Sequence, residues 1–221
     1  MSGAFLSDSV DVAPNVLPAK MELSIAADIV IAKINDLKSR LDRPLLIAFD
    51  GRSGCGKSTL AELVAKRITA AIVTGDDFYS GGDDEKWESS TPEAKADQAI
   101  DWKRLRTEVL EPLLAGKPAR WHPLAFTPGI GWTGWKDDVV VVQPAPVILL
   151  DVVYSARAEL ADIVDVSVLI ELPDALRRAR LITREGPAFM ARWHAIWDSA
   201  ENYYFSRMPA HSFDLVIRLE S

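Results

Sequence analysis

The sequence predicts an α/β fold in which a parallel five-stranded sheet is flanked by helices and carries a lid and a β-hairpin flap. Short continuous apolar runs alternate with segments of helical periodicity, a pattern typical of strands that are covered on both faces. One such run, over residues 45–49, leads through a glycine-rich loop into a predicted helix. Strands and helices that alternate in this way form parallel sheets with right-handed crossovers.

Length and composition are those of one globular domain. The 221 residues are 48% apolar and 26% charged, which excludes disordered, collagen-like and disulfide-rich classes. The net charge of -7 argues against nucleic acid as a partner, because an acidic surface repels phosphate backbones. Cys55 is the one cysteine and the three histidines are far apart in the sequence, so we expect neither an internal disulfide nor a zinc site.

The location of the protein is predicted from its first residues and from its hydropathy. We expect residues 1–22 to be an N-terminal tail and residues 23–221 to be a single domain. No basic residue precedes Lys20, whereas a secretory signal begins with basic residues. No apolar stretch approaches the roughly 18 residues that a membrane helix requires. We therefore expect a cytoplasmic protein without a membrane partner.

The first half of the chain predicts a strand–loop–helix–strand unit after an initial helix. Apolar residues three or four apart indicate helices over 23–41 and 57–68. Short apolar runs indicate strands over 45–49 and 71–74. Residues 81–98 are polar, acidic and rich in helix breakers, so we expect them to form a mobile surface loop.

The second half continues the alternation around one irregular segment. Residues 121–142 are rich in glycine and proline, which favours a hairpin-like flap over a strand of the core sheet. Pro112 lies in the last turn of a helix predicted over 101–114, and a proline inside a helix can break that turn. The other predicted elements are helices over 174–185 and 188–205 and strands over 147–150, 166–172 and 213–219.

A phosphate-binding loop follows the first predicted strand. Glycines let its backbone N–H groups face phosphate oxygens, and the next helix presents its positive end to the anion. Lys57 would reach the β- and γ-phosphates, and Ser58 would offer its hydroxyl to Mg²⁺. Cys55 is interpreted as a small residue that fits the loop rather than as a redox group. The matching sequence of the G-x-x-x-x-G-K-[ST] motif is Gly51-Arg52-Ser53-Gly54-Cys55-Gly56-Lys57-Ser58-Thr59.

Three aspartates are predicted to lie at the sheet edge that carries this loop. Asp76 and Asp77 end the second predicted strand, and Asp151 ends the strand over 147–150. Ligands of open α/β sheets bind at the carboxyl ends of the strands. A carboxylate there can accept the proton of an attacking hydroxyl or hold the metal through water. The alternative is that these aspartates only form turns at strand ends.

Arginines three and four residues apart form one stripe on a predicted helix. Arg177, Arg180 and Arg184 share a face, because each residue turns a helix by about 100°. Such a stripe could close as a lid over the transferring phosphoryl group and neutralise its charge. The alternative is a solvated face paired with Asp174 and Glu185.

The seven tryptophans fall into groups with different expectations. Trp193 and Trp197 are one helical turn apart and are predicted to be core residues. Trp121, Trp132 and Trp135 lie in the flap, where an aromatic face could stack on a planar or sugar-like substrate. We take Trp132 and Trp135 as candidate substrate contacts.

Together these motifs resemble the uridine kinase branch of the P-loop small-metabolite kinases, which includes phosphoribulokinase and pantothenate kinase. The resemblance covers about residues 45–219. Besides the loop, Asp76-Asp77-Phe78-Tyr79 looks like the Asp-x-Phe-Tyr element of that family. The resemblance implies a P-loop nucleoside-kinase-like fold, with ATP and Mg²⁺ as cofactors.

The resemblance also implies roles for individual residues. The first aspartate of the family's element acts as base on the acceptor hydroxyl and its aromatic residue lies at the acceptor site, which assigns these roles to Asp76 and Tyr79. Asp77 is taken as a further candidate substrate contact, and it is also the alternative candidate for the base. Asp151 falls where the family holds an acidic residue near Mg²⁺, as a partner for Ser58. The implied catalytic residues are Asp76, Lys57, Arg177 and Arg180, and the implied nucleotide contacts are Gly51, Ser53, Gly54, Cys55, Gly56, Lys57, Ser58, Thr59 and Arg184.

Two positions depart from the family pattern. Asp151-Val152 stands where the family has Glu-Gly, and this replaces a flexible residue with a β-branched one. The flap has Leu124-Ala125 in place of the Tyr-Asp pair that uridine kinases use for the nucleoside. Uridine is therefore a weak expectation as the acceptor.

The sequence predicts an ATP-dependent kinase that phosphorylates a hydroxyl group of a small metabolite, either nucleoside-like or sugar-like. A nucleotide-binding regulator or slow ATPase without productive transfer is the alternative, because of the two departures. A kinase for another acceptor, such as a vitamin precursor, is also open, and so is a homo-oligomeric state.

Overall fold

The computed structural model describes residues 20–127 and 131–220. Within these two ranges, three 3₁₀ turns and one π-helical turn join the longer elements. In chain order the helices and strands are α1 (Leu23–Lys38), β1 (Leu45–Asp50), α2 (Lys57–Ala65), β2 (Ala71–Thr74), α3 (Asp84–Ser89), α4 (Pro92–Gln98), α5 (Trp102–Leu105), α6 (Glu111–Leu114), β3 (Ala119–Trp121), β4 (Leu124–Thr127), β5 (Gly131–Trp135), β6 (Val140–Val142), β7 (Val147–Asp151), β8 (Val166–Glu171), α7 (Asp174–Glu185), α8 (Pro187–Arg207) and β9 (Leu215–Arg218).

A five-stranded parallel sheet forms the centre of the molecule, as predicted. Its strand order is β2-β7-β1-β8-β9, and every pair of neighbours runs parallel. β1 is buried along its whole length between β7 and β8. A strand in that position needs apolar side chains on both faces, which explains the continuous apolar run over 45–49.

Each face of the sheet packs against its own set of helices. Leu46 and Ala48 of β1 join a core that contains residues of α4, α5 and α8. Ile47 and Phe49 join the opposite core, to which α1 and α2 contribute buried side chains such as Leu60. Successive residues of a strand point to opposite faces, so β1 holds the two layers together.

The segment 81–98 is not the mobile surface loop that its composition suggested. It contains the helices α3 and α4, whose N-caps are Asp83 and Thr91 with side chains that accept from backbone N–H groups. Trp87 is fully buried, and the buried Lys95 donates from Nζ to the carbonyl of Ile196 at 2.9 Å. Capping and these two anchors outweigh the polar composition.

The helix predicted over 101–114 is interrupted by a π-helical turn. Residues Arg106–Leu110 adopt π geometry between α5 and α6. Pro112 follows this turn and has no N–H group to bond to a carbonyl four residues earlier. The wider turn therefore lets the chain pass the proline without ending the helical path.

The glycine- and proline-rich segment forms antiparallel pairs outside the main sheet. β4 and β5 make a hairpin with a register shift at Ala125/Phe126, and β3 pairs with β6 around it. We name the segment from Trp121 to Val142 the flap. Residues 128–130 and the side chains of Phe126 and Trp132 are outside the described part of the chain.

The last helices and strand lie close to their predicted limits. α7 matches its predicted bounds, α8 is longer at both ends than predicted, and β9 is shorter than the predicted 213–219. Met21 also pairs with Leu219 in an isolated parallel bridge and is buried. Within residues 20–127 and 131–220, no helix is both long enough and apolar enough to cross a membrane.

Candidate functional site

The phosphate loop has the tight turn that its glycines predict. Gly51 and Gly54 have φ angles of 141° and 80°. A Cβ atom at Gly51 would lie 2.4 Å from the carbonyl oxygen of Ile170, and one at Gly54 would lie 2.8 Å from Cγ of Leu181. Only glycine fits both the backbone angle and the space at these positions.

Lys57 lies at the start of α2 and bends back over the loop. Its Nζ atom donates to the carbonyl oxygen of Gly51 at 2.7 Å. Desolvation opposes the charge of the ammonium group, but Cys55 and the carboxylates of Asp151 and Asp76 raise the pKa of Lys57 above its ordinary value. The lysine is therefore a fixed positive charge between the loop and the acidic residues.

The sheet topology brings Asp76 and Asp151 to the loop. Asp151 ends β7 and lies opposite Phe49 of β1 and Thr74 of β2. Asp76 lies in the 3₁₀ turn Gly75–Phe78 that follows β2. Desolvation and the charge of Asp151 raise the pKa of Asp76. A raised pKa makes a carboxylate a stronger proton acceptor.

Asp77 has a different environment from that of Asp76. Its Oδ2 atom accepts a hydrogen bond from the indole N–H of Trp121 at 2.9 Å. Trp121 is buried and its ring packs against Phe78 with the centroids 5.6 Å apart. The prediction that Trp121 offers a stacking face to substrate is therefore wrong, because the flap folds this side chain into the core.

A cavity of about 480 Å³ opens beside these carboxylates. Both Trp193 and Trp197 lie in its wall and are partly buried. Trp197 also packs against the core, as predicted, whereas Trp193 is not part of either core cluster of the described residues. The helical spacing of these two tryptophans identifies a shared face, and that face of α8 turns toward the cavity. Other residues of the lining are Ser53 of the loop, Asp76, Asp77 and Tyr79.

An aromatic cluster supports one side of the cavity. The ring of Tyr79 lies 5.7 Å from that of Trp87 and 6.0 Å from that of Trp197, and the two tryptophans are 5.0 Å apart. Burial and the nearby charge of Asp84 raise the pKa of Tyr79. The tyrosine is thus a neutral hydroxyl in an apolar wall.

The flap contributes Leu124 and Lys136 to the cavity lining. Trp135, at 44% exposure, lies against the guanidinium of Arg104, whose central carbon is 4.3 Å from the ring centroid. Trp135 is not among the described residues that line the cavity. The side chain of Trp132, the other candidate of the flap, is outside the described residues.

The arginines of α7 do not form one exposed stripe. Arg177 has only 1% of its side chain exposed and donates to the carbonyl oxygen of Ser53 at 3.1 Å. Arg180 lies beside the loop, with Nη1 3.4 Å from the point that a Cβ atom of Gly56 would occupy. Arg184 lines the cavity, is 67% exposed and pairs with Glu185 at 2.6 Å. Arg177 also donates to Asp174 at 2.9 Å, so the pairings with Asp174 and Glu185 that the alternative predicted are both present. The stripe therefore combines one buried arginine with two that face the site.

Charged groups of α3 and α8 also meet at the cavity. Arg192 of α8 pairs with Asp84 of α3, and both residues line the cavity. This ion pair connects the segment predicted to be a surface loop to α8, the last helix of the chain that the structure describes. The packing of α3 against α8 thus forms part of the cavity wall.

Asp50 is a structural residue of the site that sequence reasoning missed. It is completely buried, and its carboxylate accepts from the N–H groups of Gly51, Tyr154 and Ala156 at 2.7, 2.9 and 3.0 Å. It also accepts from the hydroxyl of Tyr204 at 2.6 Å. Burial and Asp50 together raise the pKa of that hydroxyl. The only signal in the sequence was an aspartate that ends a buried strand.

The residues predicted to hold Mg²⁺ have suitable chemistry. Ser58 is an exposed residue in the first turn of α2, and Asp151 ends β7 at the same edge of the sheet. Hydroxyl and carboxylate oxygens are the hard ligands that Mg²⁺ prefers, and this ion commonly keeps its remaining positions for water and phosphate oxygens. The charge of Asp151 acts on both Lys57 and Asp76, so a cation there would relieve repulsion between the two carboxylates.

Sequence comparisons identify only a short part of the chain. A family model described as RNA helicase matches residues 47–112, less than a third of the chain. The matched segment contains the phosphate loop, an element that hosts many different functions. The search of curated proteins found no match.

Solved structures resemble the whole domain. A candidate uridine kinase from Bacillus stearothermophilus is 18% identical with a TM-score of 0.65, over 89% of this chain and 100% of that one. A candidate fructose transport system kinase from Silicibacter sp. is 23% identical with a TM-score of 0.62, over 89% and 98%. D-glycerate 3-kinase from Cryptococcus neoformans is 15% identical with a TM-score of 0.59, over 89% and 95%. The chain therefore has the α/β fold of these P-loop kinases, and the predicted resemblance is confirmed at the level of the fold.

Proposed function

We propose that this chain is an ATP- and Mg²⁺-dependent kinase that transfers the γ-phosphoryl group to a hydroxyl of a small metabolite, nucleoside-like or sugar-like. The observation that carries the proposal is the meeting of Lys57, Asp76 and Asp151 at one edge of the sheet, beside a cavity large enough for such a metabolite. The structural likeness to kinases for different small molecules supports the same reaction class.

In the proposed mechanism, the loop and Lys57 hold the phosphates of ATP. Backbone N–H groups at the end of the loop and in the first turn of α2 would face the anion, and Lys57 would follow the charge on the β- and γ-phosphates. Mg²⁺, held by Ser58 and Asp151, would supply further neutralisation of these phosphates. Arg180 and Arg184 stand where they can neutralise charge on the transferring group.

Asp76 is proposed to act as the base. Its carboxylate takes the proton of the acceptor hydroxyl as the oxygen of that hydroxyl attacks the γ-phosphorus and ADP leaves. Asp77 is held by Trp121, so it is suited to fixing the position of the acceptor. The raised pKa of Asp76 supports this division of roles.

The cavity favours an acceptor that has several hydroxyl groups or a planar ring. Carboxylate oxygens accept hydrogen bonds from hydroxyls, and the faces of Trp193 and Trp197 can pack against apolar faces of a ring. Tyr79 adds a neutral hydroxyl to the same wall. The combination of an apolar wall with a few polar groups is typical of sites for small ligands.

The test of the proposal is ADP release measured with a panel of nucleosides, sugars and vitamin precursors. We expect at least one of them to raise ADP formation at least about tenfold above the rate without acceptor. Slow hydrolysis that no acceptor changes would favour the alternative, a nucleotide-binding regulator. Hydrolysis accelerated by RNA would instead favour the activity named by the short family match.

A further inference from the structure

Both backbone polar groups of Ser53, its N–H and its carbonyl, are held by side chains of the last two helices. The carbonyl oxygen of Ser53 accepts from Nη1 of Arg177 at 3.1 Å, and its N–H donates to Oε1 of Glu201 at 2.8 Å. Arg177 lies on α7 and Glu201 on α8. Ser53 belongs to the phosphate loop and lines the cavity. Its backbone is therefore fixed by two helices that lie outside the loop.

Glu201 and the arginines around it form a buried charge cluster. The side chains of Glu201 and Arg177 are each only 1% exposed. Oε2 of Glu201 lies 3.5 Å from Nη1 of Arg177 and 3.6 Å from Nη1 of Arg52. Within residues 20–127 and 131–220, this oxygen has no hydrogen-bond partner. A buried carboxylate in that state depends on its cationic neighbours, since burial without them is costly.

Further contacts make the same helices part of the loop. A Cβ atom at Gly54 would lie 3.0 Å from the carbonyl oxygen of Arg177, so α7 packs directly on the loop. The guanidinium of Arg52 lies over the ring of Phe205 at 5.3 Å from its centroid. α7 and α8 thus contact three successive residues of the loop, Arg52, Ser53 and Gly54.

We propose that Glu201 and Arg177 are positioning residues that set the conformation of the phosphate loop for nucleotide binding. Each fixes one backbone polar group of Ser53. Their mutual attraction and the hydrogen bonds from Arg177 to Asp174 keep both side chains in place. The inference rests on the proposed function, since it concerns the nucleotide that the loop would hold. It gives Arg177 a role different from that of Arg180 and Arg184, which face the site rather than the backbone of the loop.

The test is the Kd for Mg·ATP of folded variants, measured by calorimetry. Glu201→Gln keeps the size of the side chain but removes the charge between the two arginines, and we expect the Kd to rise at least about tenfold. Glu62→Gln is the matched control, because Glu62 is an exposed residue of α2, and its Kd should stay within about twofold of wild type. A Glu201→Gln protein that binds Mg·ATP like wild type would overturn the proposal.

Arg177→Lys provides a second, independent measurement. It keeps the positive charge but loses the planar fork that reaches Ser53, so it too should raise the Kd at least about fivefold. If both residues act through the backbone of Ser53, their effects should not add. The Kd of the double variant should then be at most about twofold above that of the single variant with the higher Kd. Effects of the two substitutions that multiply independently would contradict a shared role.

Two further measurements distinguish a failure of this inference from a failure of the proposed function, and a positioning role from a structural one. The Kd of wild type and of Lys57→Ala is measured alongside, and we expect Lys57→Ala to bind Mg·ATP more weakly than wild type. A wild type that does not bind Mg·ATP would refute the proposed function itself. Circular dichroism then gives the melting temperature without nucleotide. A lower melting temperature with an unchanged Kd in the folded protein would show that Glu201 and Arg177 only stabilise the fold, and would refute the proposal.

Discussion

Two adjacent aspartates, Asp76 and Asp77, differ in what their neighbours allow them to do. The indole N–H of Trp121 occupies an oxygen of Asp77, whereas the charge environment of Asp76 includes Asp151 and Lys57. The sequence left both aspartates as candidates, because their separation along the chain is a single residue. The position of the buried flap tryptophan and the charges around Asp76 distinguish them.

Substitution of the two aspartates tests the assignment of the base. Asp76→Asn keeps the shape but removes the proton acceptor, so we expect the turnover number to fall by roughly 10² to 10⁴ while ATP binding is retained. Asp77→Asn is the matched control and should affect mainly the KM of the acceptor. Steady-state kinetics with the best acceptor of the panel measure both. The reverse pattern would make Asp77 the base.

Gly75 and Val152 explain how the chain tolerates its departure from the family pattern after β7. A Cβ atom at Gly75 would lie only 2.3 Å from Cβ of Val152, and Val152 is buried. The missing side chain of Gly75 therefore leaves the space that Val152 fills. The valine stands where the resembled family has glycine, and here a glycine on the neighbouring segment makes room for it.

This pairing predicts a compensating pair of substitutions. Gly75→Ala alone should lower the free energy of unfolding by about 1–3 kcal/mol, because the new methyl group overlaps Val152. Adding Val152→Gly removes the overlap, so the double variant should lose less than the sum of the two single variants. Urea denaturation followed by circular dichroism measures the three values. Additive losses would show that the two positions do not share this space.

At the scale of elements, the local patterns predicted the strands and the phosphate loop well. β2 matches its predicted bounds, and β1 and β7 each extend by the one aspartate that ends the apolar run. The helices α3 and α4 were missed because their stability comes from capping and from distant contacts. One of these is the bond from Lys95 to Ile196, residues far apart in the chain. The contact of Glu201 with Ser53 likewise has no local signal.

The lid interpretation of α7 now applies to a smaller set of arginines. Arg180 is close to Gly56, and among the described residues it is Arg177, not Arg180, that donates to the carbonyl of Ser53. We expect Arg180→Ala to lower the turnover number at least about tenfold and to change the Kd for ATP at most about threefold, because the guanidinium acts on charge that develops during transfer. Pre-steady-state kinetics and calorimetry provide the two numbers. Equal losses in both would return Arg180 to a role in binding.

The flap predicts which acceptors are poor. Leu124 lines the cavity and offers no hydrogen bond to the edge of a nucleobase, and each unpaired polar group costs about 1–3 kcal/mol on burial. Uridine and cytidine should therefore turn over at least about tenfold more slowly than the best acceptor of the panel. Efficient phosphorylation of uridine would contradict this prediction and would mean that other residues of the cavity form hydrogen bonds with the base.

At the scale of the whole molecule, the fold brings residues from five separate segments to one sheet edge. The loop after β1, the turn after β2, the end of β7 and the helices α7 and α8 all meet there. The alternation of strands and helices was sufficient to predict this edge, since carboxyl ends of parallel strands share one side of the sheet. The side chains that fix the loop from α8 could be found only in the folded chain.

Transfer of labelled phosphate is the most direct test of the central claim that this arrangement phosphorylates a hydroxyl. ATP labelled at the γ-phosphate is incubated with Mg²⁺ and the best acceptor, using wild type, Lys57→Ala and Asp76→Asn. The account predicts that wild type places the label on the organic acceptor and that each variant does so at least about 10²-fold more slowly. Label found only in inorganic phosphate, at a rate that the acceptor does not change, would contradict it.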